Sequence, residues 1–138
     1  MASLSASAPY PAAAELRRWT LDSFGELRGL RASLREALTE MATSNLEDLC
    51  DRVTVVATEL ATNALRHGLP PTTVRLMRED HRLILDVADH DLDAPPRVDE
   101  DRPLGAGGLG LQLTKSFAID VGWYSTEVAK HVWASFPS

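Results

Sequence analysis

The chain has 138 residues, enough for one domain whose hydrophobic core needs no disulfide or metal for support. Its net charge is −6 and no basic cluster stands out, which argues against direct contact with nucleic acid. The single cysteine, Cys50, excludes an internal disulfide and a cysteine-based zinc site. The sequence contains neither a secretory signal nor an apolar run of membrane-spanning length, so we expect a soluble cytoplasmic protein without a membrane segment.

The N-terminal residues differ in composition from the rest of the chain. Residues 1–17 are rich in Ala, Ser and Pro, which favours a disordered leader, and we assign residues 18–138 to a single domain. Residues 18–21 predict a short edge strand at the start of this domain.

Two capping boxes predict the starts of two helices, Ser23 with Glu26 and Ser44 with Glu47. After each box, apolar residues recur at three- and four-residue steps, which is typical of a helix with one buried face. The second helix is expected to end at Gly68, because glycine is the usual left-handed C-cap and two prolines follow. The short connection predicts that the helices pack as antiparallel neighbours.

Beyond the prolines the apolar period changes to two, which predicts two β-hairpins. Their strands are expected at residues 73–78 and 83–89, and at residues 119–124 and 131–136. Between the hairpins lie a long acidic loop and a glycine-rich segment that leads into a short helix. Helices followed by hairpins indicate an α+β fold, a two-layer sandwich with the helices on one face of a mixed, mainly antiparallel sheet.

The second helix carries a narrow polar stripe opposite its apolar face. Glu59 and Asn63 are one turn apart, and Arg66 and His67 continue the stripe to the helix end. A solvated polar stripe is the ordinary interpretation of such a pattern. A binding or catalytic role is the alternative, and the glycine-rich segment favours it.

That segment contains Gly105, Gly107, Gly108, Leu109 and Gly110, directly before the predicted short helix. Glycines let the backbone approach a phosphate closely, and the free N–H groups of a helix N-terminus bind it. The run matches neither a Rossmann fingerprint nor a P-loop, and a flexible loop is the alternative interpretation.

Together these motifs resemble those of the GHKL (Bergerat-fold) ATPases. The matching parts occur in the family's order, as residues 59–68, Asp89, residues 107–111 and residues 130–133. The resemblance covers residues 19–136 and is strongest to the small anti-sigma-factor serine kinases.

The resemblance implies a binding site for ATP with Mg²⁺. Asn63 would hold the metal ion, Glu59 would act as the general base, and Asp89 would accept the adenine amino group. The turn over the phosphates would contain Gly105, Gly107, Gly108, Leu109 and Gly110. Arg66 and His67 would contact the phosphates or a partner, with favourable placement of cations at a helix end as the alternative.

The sequence departs from the family pattern after Asp89. Family members usually have glycines at alternate positions there, whereas this chain continues with His90, Asp91, Leu92 and Asp93. No glycine is left to bring the backbone close to a nucleotide, and the added acids place negative charge near the expected triphosphate.

Two hypotheses about function follow from the resemblance. In the first, the protein is a serine/threonine kinase that holds a sigma factor and phosphorylates an anti-anti-sigma partner. In the second, it is a non-catalytic module that sequesters a regulator, which the altered segment after Asp89 favours. An accidental match in an ordinary α+β domain is a third interpretation. Family members commonly dimerise, so a homodimer is expected by analogy.

Overall fold

The computed structural model describes residues 5–6, 13–41, 46–92 and 117–137. Two helices and six strands form in these ranges: β1 Ser5–Ala6, β2 Ala14–Leu21, α1 Leu27–Glu40, α2 Leu46–His67, β3 Thr72–Glu79, β4 Arg82–Asp89, β5 Asp120–Ser125 and β6 Lys130–Pro137. The strands form one sheet in the order β1-β5-β6-β4-β3-β2. Among the strand pairs that the structure describes, only β1–β5 is parallel. The predicted two-layer α+β architecture is therefore confirmed.

The first helix, α1, has the predicted buried stripe but starts later than its capping box suggests. Leu30, Leu34 and Leu38 are almost fully buried. A single 3-10 turn, Phe24–Glu26, precedes α1. The Glu26 carboxylate accepts the backbone N–H of Asp22 at 3.0 Å instead of closing a capping box with Ser23.

The second helix, α2, starts at Leu46 and ends at His67, as predicted. Ser44, the expected N-cap residue, lies outside the described residues. Arg35 near the end of α1 donates to Asp51 near the start of α2 at 2.7 Å, as expected for antiparallel neighbours. Within the described ranges, no helix has the length and apolarity that crossing a bilayer requires.

Both predicted hairpins are confirmed. The first joins β3 and β4 through Asp80 and His81, and Asp80 takes a left-handed φ of 52° that its short polar side chain tolerates. The second joins β5 and β6 through a turn in which the Thr126 N–H donates to the Ala129 carbonyl at 2.8 Å.

Two parts of the expected N-terminal leader pair with strands of the sheet. Ser5–Ala6 pairs with β5 as a short parallel strand. The edge strand β2 begins at Ala14 instead of residue 18, and it pairs with β3 through Leu21. Residues 14–17 therefore belong to the sheet, because backbone pairing orders a segment whose composition alone favours disorder.

The hydrophobic core lies between the helices and one face of the sheet. Along β4, Leu83, Leu85 and Val87 face the helices and are almost fully buried. The alternate residues, including Ile84 and Asp86, face the opposite side, which we call the outer face.

The outer face carries a polar network around Asp86, whose side chain is fully buried. Its carboxylate lies 2.8 Å from Nδ1 of His131 and 3.4 Å from the guanidinium of Arg75, and it accepts the Tyr124 hydroxyl at 3.1 Å. The rings of Tyr124 and His131 stack with centroids 4.5 Å apart. Three donors from three strands therefore compensate the buried charge.

This network predicts a loss of stability at high pH. Burial first, and then the charge of Asp86, raise the pKa of Tyr124 to about 12, against about 10 in the unfolded chain. Because the folded state favours the protonated phenol, its stabilisation is complete below pH 10 and disappears between pH 10 and 12. The loss should be about 1–2 kcal/mol after allowance for partial solvent screening. Urea unfolding between pH 8.5 and 11.5 should show this loss of stability in wild type but not in Tyr124→Phe. An equal pH dependence of the unfolding free energy in the two proteins would contradict the prediction.

Candidate functional site

The end of α2 and the end of β4 meet at Gly68. The Gly68 N–H donates to the Ala64 carbonyl at 2.8 Å and completes the last turn. Its φ lies outside the left-handed region, so the expected left-handed C-cap is wrong. Glycine is required for space instead, since a Cβ atom here would overlap the carboxylate of Asp89 and lie 2.7 Å from the Ala64 carbonyl oxygen.

Asp89 is held in a buried ion pair. Its side chain is 6% exposed, and its Oδ2 lies 3.6 Å from Nζ of Lys130, which is 9% exposed. The two residues are direct cross-strand partners at the ends of β4 and β6, on the face that the helices cover. The other carboxylate oxygen accepts the N–H of Asp91 at 2.8 Å. This arrangement fixes the orientation of the carboxylate.

His90 connects three elements around Asp89. Its N–H donates to the Leu69 carbonyl at 3.0 Å, and its Nδ1 lies 3.0 Å from the Val128 carbonyl oxygen in the β5–β6 turn. The segment that lacks the family's glycines is therefore bonded to both the α2 end and the second hairpin.

Glu59 and Asn63 lie on α2 and are partly buried. Every residue of α2 from Val53 to Leu65 is at least partly buried, whereas Arg66 and His67 are exposed. Among the described residues, neither Glu59 nor Asn63 has a hydrogen-bond or ion-pair partner. A partly buried carboxylate and carboxamide without internal partners are available to a ligand.

The predicted site residues lie in sequence along α2. Glu59 is nine residues before Gly68, about 13 Å along the axis at 1.5 Å per residue, and Asn63 lies between them. Gly68 contacts Asp89, whereas Asn63 and Glu59 lie more than one and more than two turns further towards the start of the helix.

Arg66 and His67 form the last turn of α2 and are exposed. Cations are favourable at this end of a helix, as the alternative interpretation expected. Both residues take part in interactions within the structure, and their contact with phosphates stays a prediction.

The predicted phosphate turn, Gly105, Gly107, Gly108, Leu109 and Gly110, lies outside the described residues. Its role stays a prediction. Of the short helix expected after it, the structure describes Phe117, which is helical, and Ala118, which is not.

The described residues fit Mg²⁺ with ATP. Asn63 offers an unpartnered carboxamide oxygen, a hard ligand suited to Mg²⁺, which usually takes its other ligands from phosphates and water. Asp89 offers a buried, oriented acceptor for a base amino group. The motif at residues 130–133 did not predict that Lys130 lies beside Asp89, because only the register of β4 and β6 places the two together.

Comparison with known proteins identifies the family of the chain. A search of curated proteins finds no match. A family model described as the histidine kinase-like ATPase domain matches residues 23–136, which include both helices, Asp89 and Lys130. Domains of this GHKL type bind ATP, usually with Mg²⁺. The match spans most of the chain and confirms the expected family, and the chain therefore belongs to the histidine kinase-like ATPase domain family.

Proposed function

We propose that this ATP-binding protein is a serine/threonine protein kinase that regulates transcription by partner switching. It would hold a sigma factor and release it through phosphorylation of an anti-anti-sigma partner in the cytoplasm. The observation that supports a kinase best is the pair Glu59 and Asn63, one helical turn apart, partly buried and without internal partners among the described residues.

Each residue has a distinct role in this proposal. The Glu59 carboxylate would accept the proton of the partner's serine hydroxyl while the serine oxygen bonds to the γ-phosphorus of ATP and ADP leaves. The Asn63 carboxamide oxygen would hold Mg²⁺, and the Asp89 carboxylate would accept a hydrogen bond from the adenine amino group. Bound ATP with Mg²⁺ supplies the phosphoryl group and the positive charge that offsets its negative oxygens.

Titration of the protein with ATP tests nucleotide binding at these residues. Calorimetry with Mg²⁺ should show binding by wild type and affinity about tenfold to a hundredfold lower in Asn63→Ala and Asp89→Ala, because each loses a charged or metal-linked contact. Thr62→Ala is a matched control on the same helix, since the Thr62 hydroxyl donates only to the Thr58 carbonyl, at 2.6 Å. Undetectable binding by wild type and both variants would contradict the site.

A non-catalytic module is the second candidate function. The hydrogen bonds of His90 to Leu69 and Val128 favour it, because they restrain the segment where the family's glycines give the nucleotide room. Incubation with γ-labelled ATP and candidate antagonist proteins separates the two functions. Label on a partner serine supports the kinase, whereas partner binding without label supports the module.

A further inference from the structure

Asp89 and Lys130 form a buried ion pair between the ends of β4 and β6. Both side chains are at most 9% exposed, and the nitrogen–oxygen distance of 3.6 Å is too long for a strong hydrogen bond. Replacing a buried ion pair with apolar residues of similar size is often neutral or stabilising. The cross-strand pair of Val87 and Val132, on the same face of the sheet, is apolar and packs in the hydrophobic core.

The position of the pair indicates a role in ligand binding. The carboxylate contacts Gly68 at the end of α2, and the ammonium group lies at the same end of the sheet. Asp89 is fixed on one side by the Asp91 N–H. The pair thus presents a fixed acceptor and a neighbouring donor at the proposed base end of the site.

We propose that Lys130 is a second residue that recognises the adenine base. Its ammonium group donates a hydrogen bond to a ring nitrogen of the adenine, while the adenine amino group donates a hydrogen bond to Asp89. This proposal rests on the proposed nucleotide binding and adds a specificity-determining residue to it. An acceptor beside a donor is the combination with which Asn and Gln side chains read the amino group and N7 of adenine. In this site two residues on adjacent strands supply the acceptor and the donor.

The ion pair does not prevent this contact. A carboxylate has about four acceptor positions, and an ammonium group has three donors. Asp89 can therefore keep its bonds to Asp91 and Lys130 and still accept an amino group. Lys130 takes part in a further interaction within the structure, and its three donors can serve that interaction, Asp89 and a ring nitrogen together. Because both groups are largely shielded from water, each hydrogen bond to the base should contribute strongly to affinity.

Binding of ATP and two analogues tests the proposal. One analogue, 7-deaza-ATP, lacks N7, and the other, 1-deaza-ATP, lacks N1, so each removes one ring acceptor and keeps the amino group. Wild type should bind one analogue about tenfold to a hundredfold more weakly than ATP, the range for a hydrogen bond to a charged donor. Lys130→Met should weaken ATP binding by a similar factor and should not distinguish ATP from that analogue. Arg78→Met, which removes an exposed cation from the same sheet, should behave as wild type.

Lys130→Met leaves Asp89 buried without its cation, so its folding must be checked by thermal unfolding. If it does not fold, Lys130→Arg retains the charge but moves the donors, and it should lose the distinction between ATP and the analogue. Unchanged or tighter ATP binding by the folded variant would overturn the role of Lys130. The role would also be overturned if the two analogues lost the same affinity relative to ATP in wild type and in the variant. No nucleotide binding by wild type would overturn the proposed function, and this proposal with it.

Discussion

Replacing Glu59 with Gln should slow phosphate transfer from ATP to a partner serine by about 100- to 10,000-fold, the usual contribution of a general base. Glutamine has the same shape and still accepts hydrogen bonds, but it cannot take up the proton of the hydroxyl. Glu59 has no partner among the described residues, so its replacement removes no internal contact. Stability should change by less than about 0.5 kcal/mol, and ATP affinity should stay within about twofold. Single-turnover transfer of labelled phosphate, together with ATP titration, measures both quantities.

Glu47→Gln provides the matched control for this experiment. Glu47 is an exposed acid in the first turn of the same helix, three turns before Glu59, and its replacement changes the net charge equally. It should leave the transfer rate unchanged. A Glu59→Gln protein that transfers phosphate at the wild-type rate would rule out Glu59 as the base. A protein that loses ATP affinity and rate together would indicate a binding role instead.

The fold was predictable where local chemistry and packing favour the same element. The leucines of α1 and the alternation in β3 and β4 define their buried faces without knowledge of the tertiary structure. The extended start of β2 was not predictable, because Ala14 and its neighbours have no strand preference of their own. Hydrogen bonds to β3, distant in sequence, determine that strand.

Spacing in the sequence brings candidate site residues together only where they share one element. Glu59 and Asn63 lie on one helix, so their spacing places them together. The Asp89–Lys130 contact joins residues 41 positions apart and depends on strand register, which the sequence does not specify at this precision. The need for glycine at position 68 has in part the same origin, since two of the three atoms nearest to an added Cβ belong to Asp89 on another element.

Replacing Gly68 with Ala should damage both stability and nucleotide binding. The new Cβ atom would overlap Asp89 and press on the backbone carbonyl of Ala64 at 2.7 Å. Asp89 cannot turn away without losing its contacts with Lys130 and Asp91. Overpacking of this kind costs about 1–3 kcal/mol, and it should lower the melting temperature by roughly 3 to 10 °C. ATP affinity should fall as well, because the base-reading carboxylate is displaced.

Gly29→Ala is the matched control, because a Cβ atom at Gly29 meets nothing within 4 Å on the exposed side of α1. That change should instead stabilise the helix by about 0.5–1 kcal/mol. A double-mutant cycle with Asp89→Ala, which removes the overlapping atoms of Asp89, identifies the cause. Gly68→Ala should destabilise the Asp89→Ala protein by at least about 0.5 kcal/mol less than it destabilises wild type. Equal destabilisation in both backgrounds would assign the whole effect to the Ala64 carbonyl, and the contact between α2 and Asp89 would then not determine the choice of glycine.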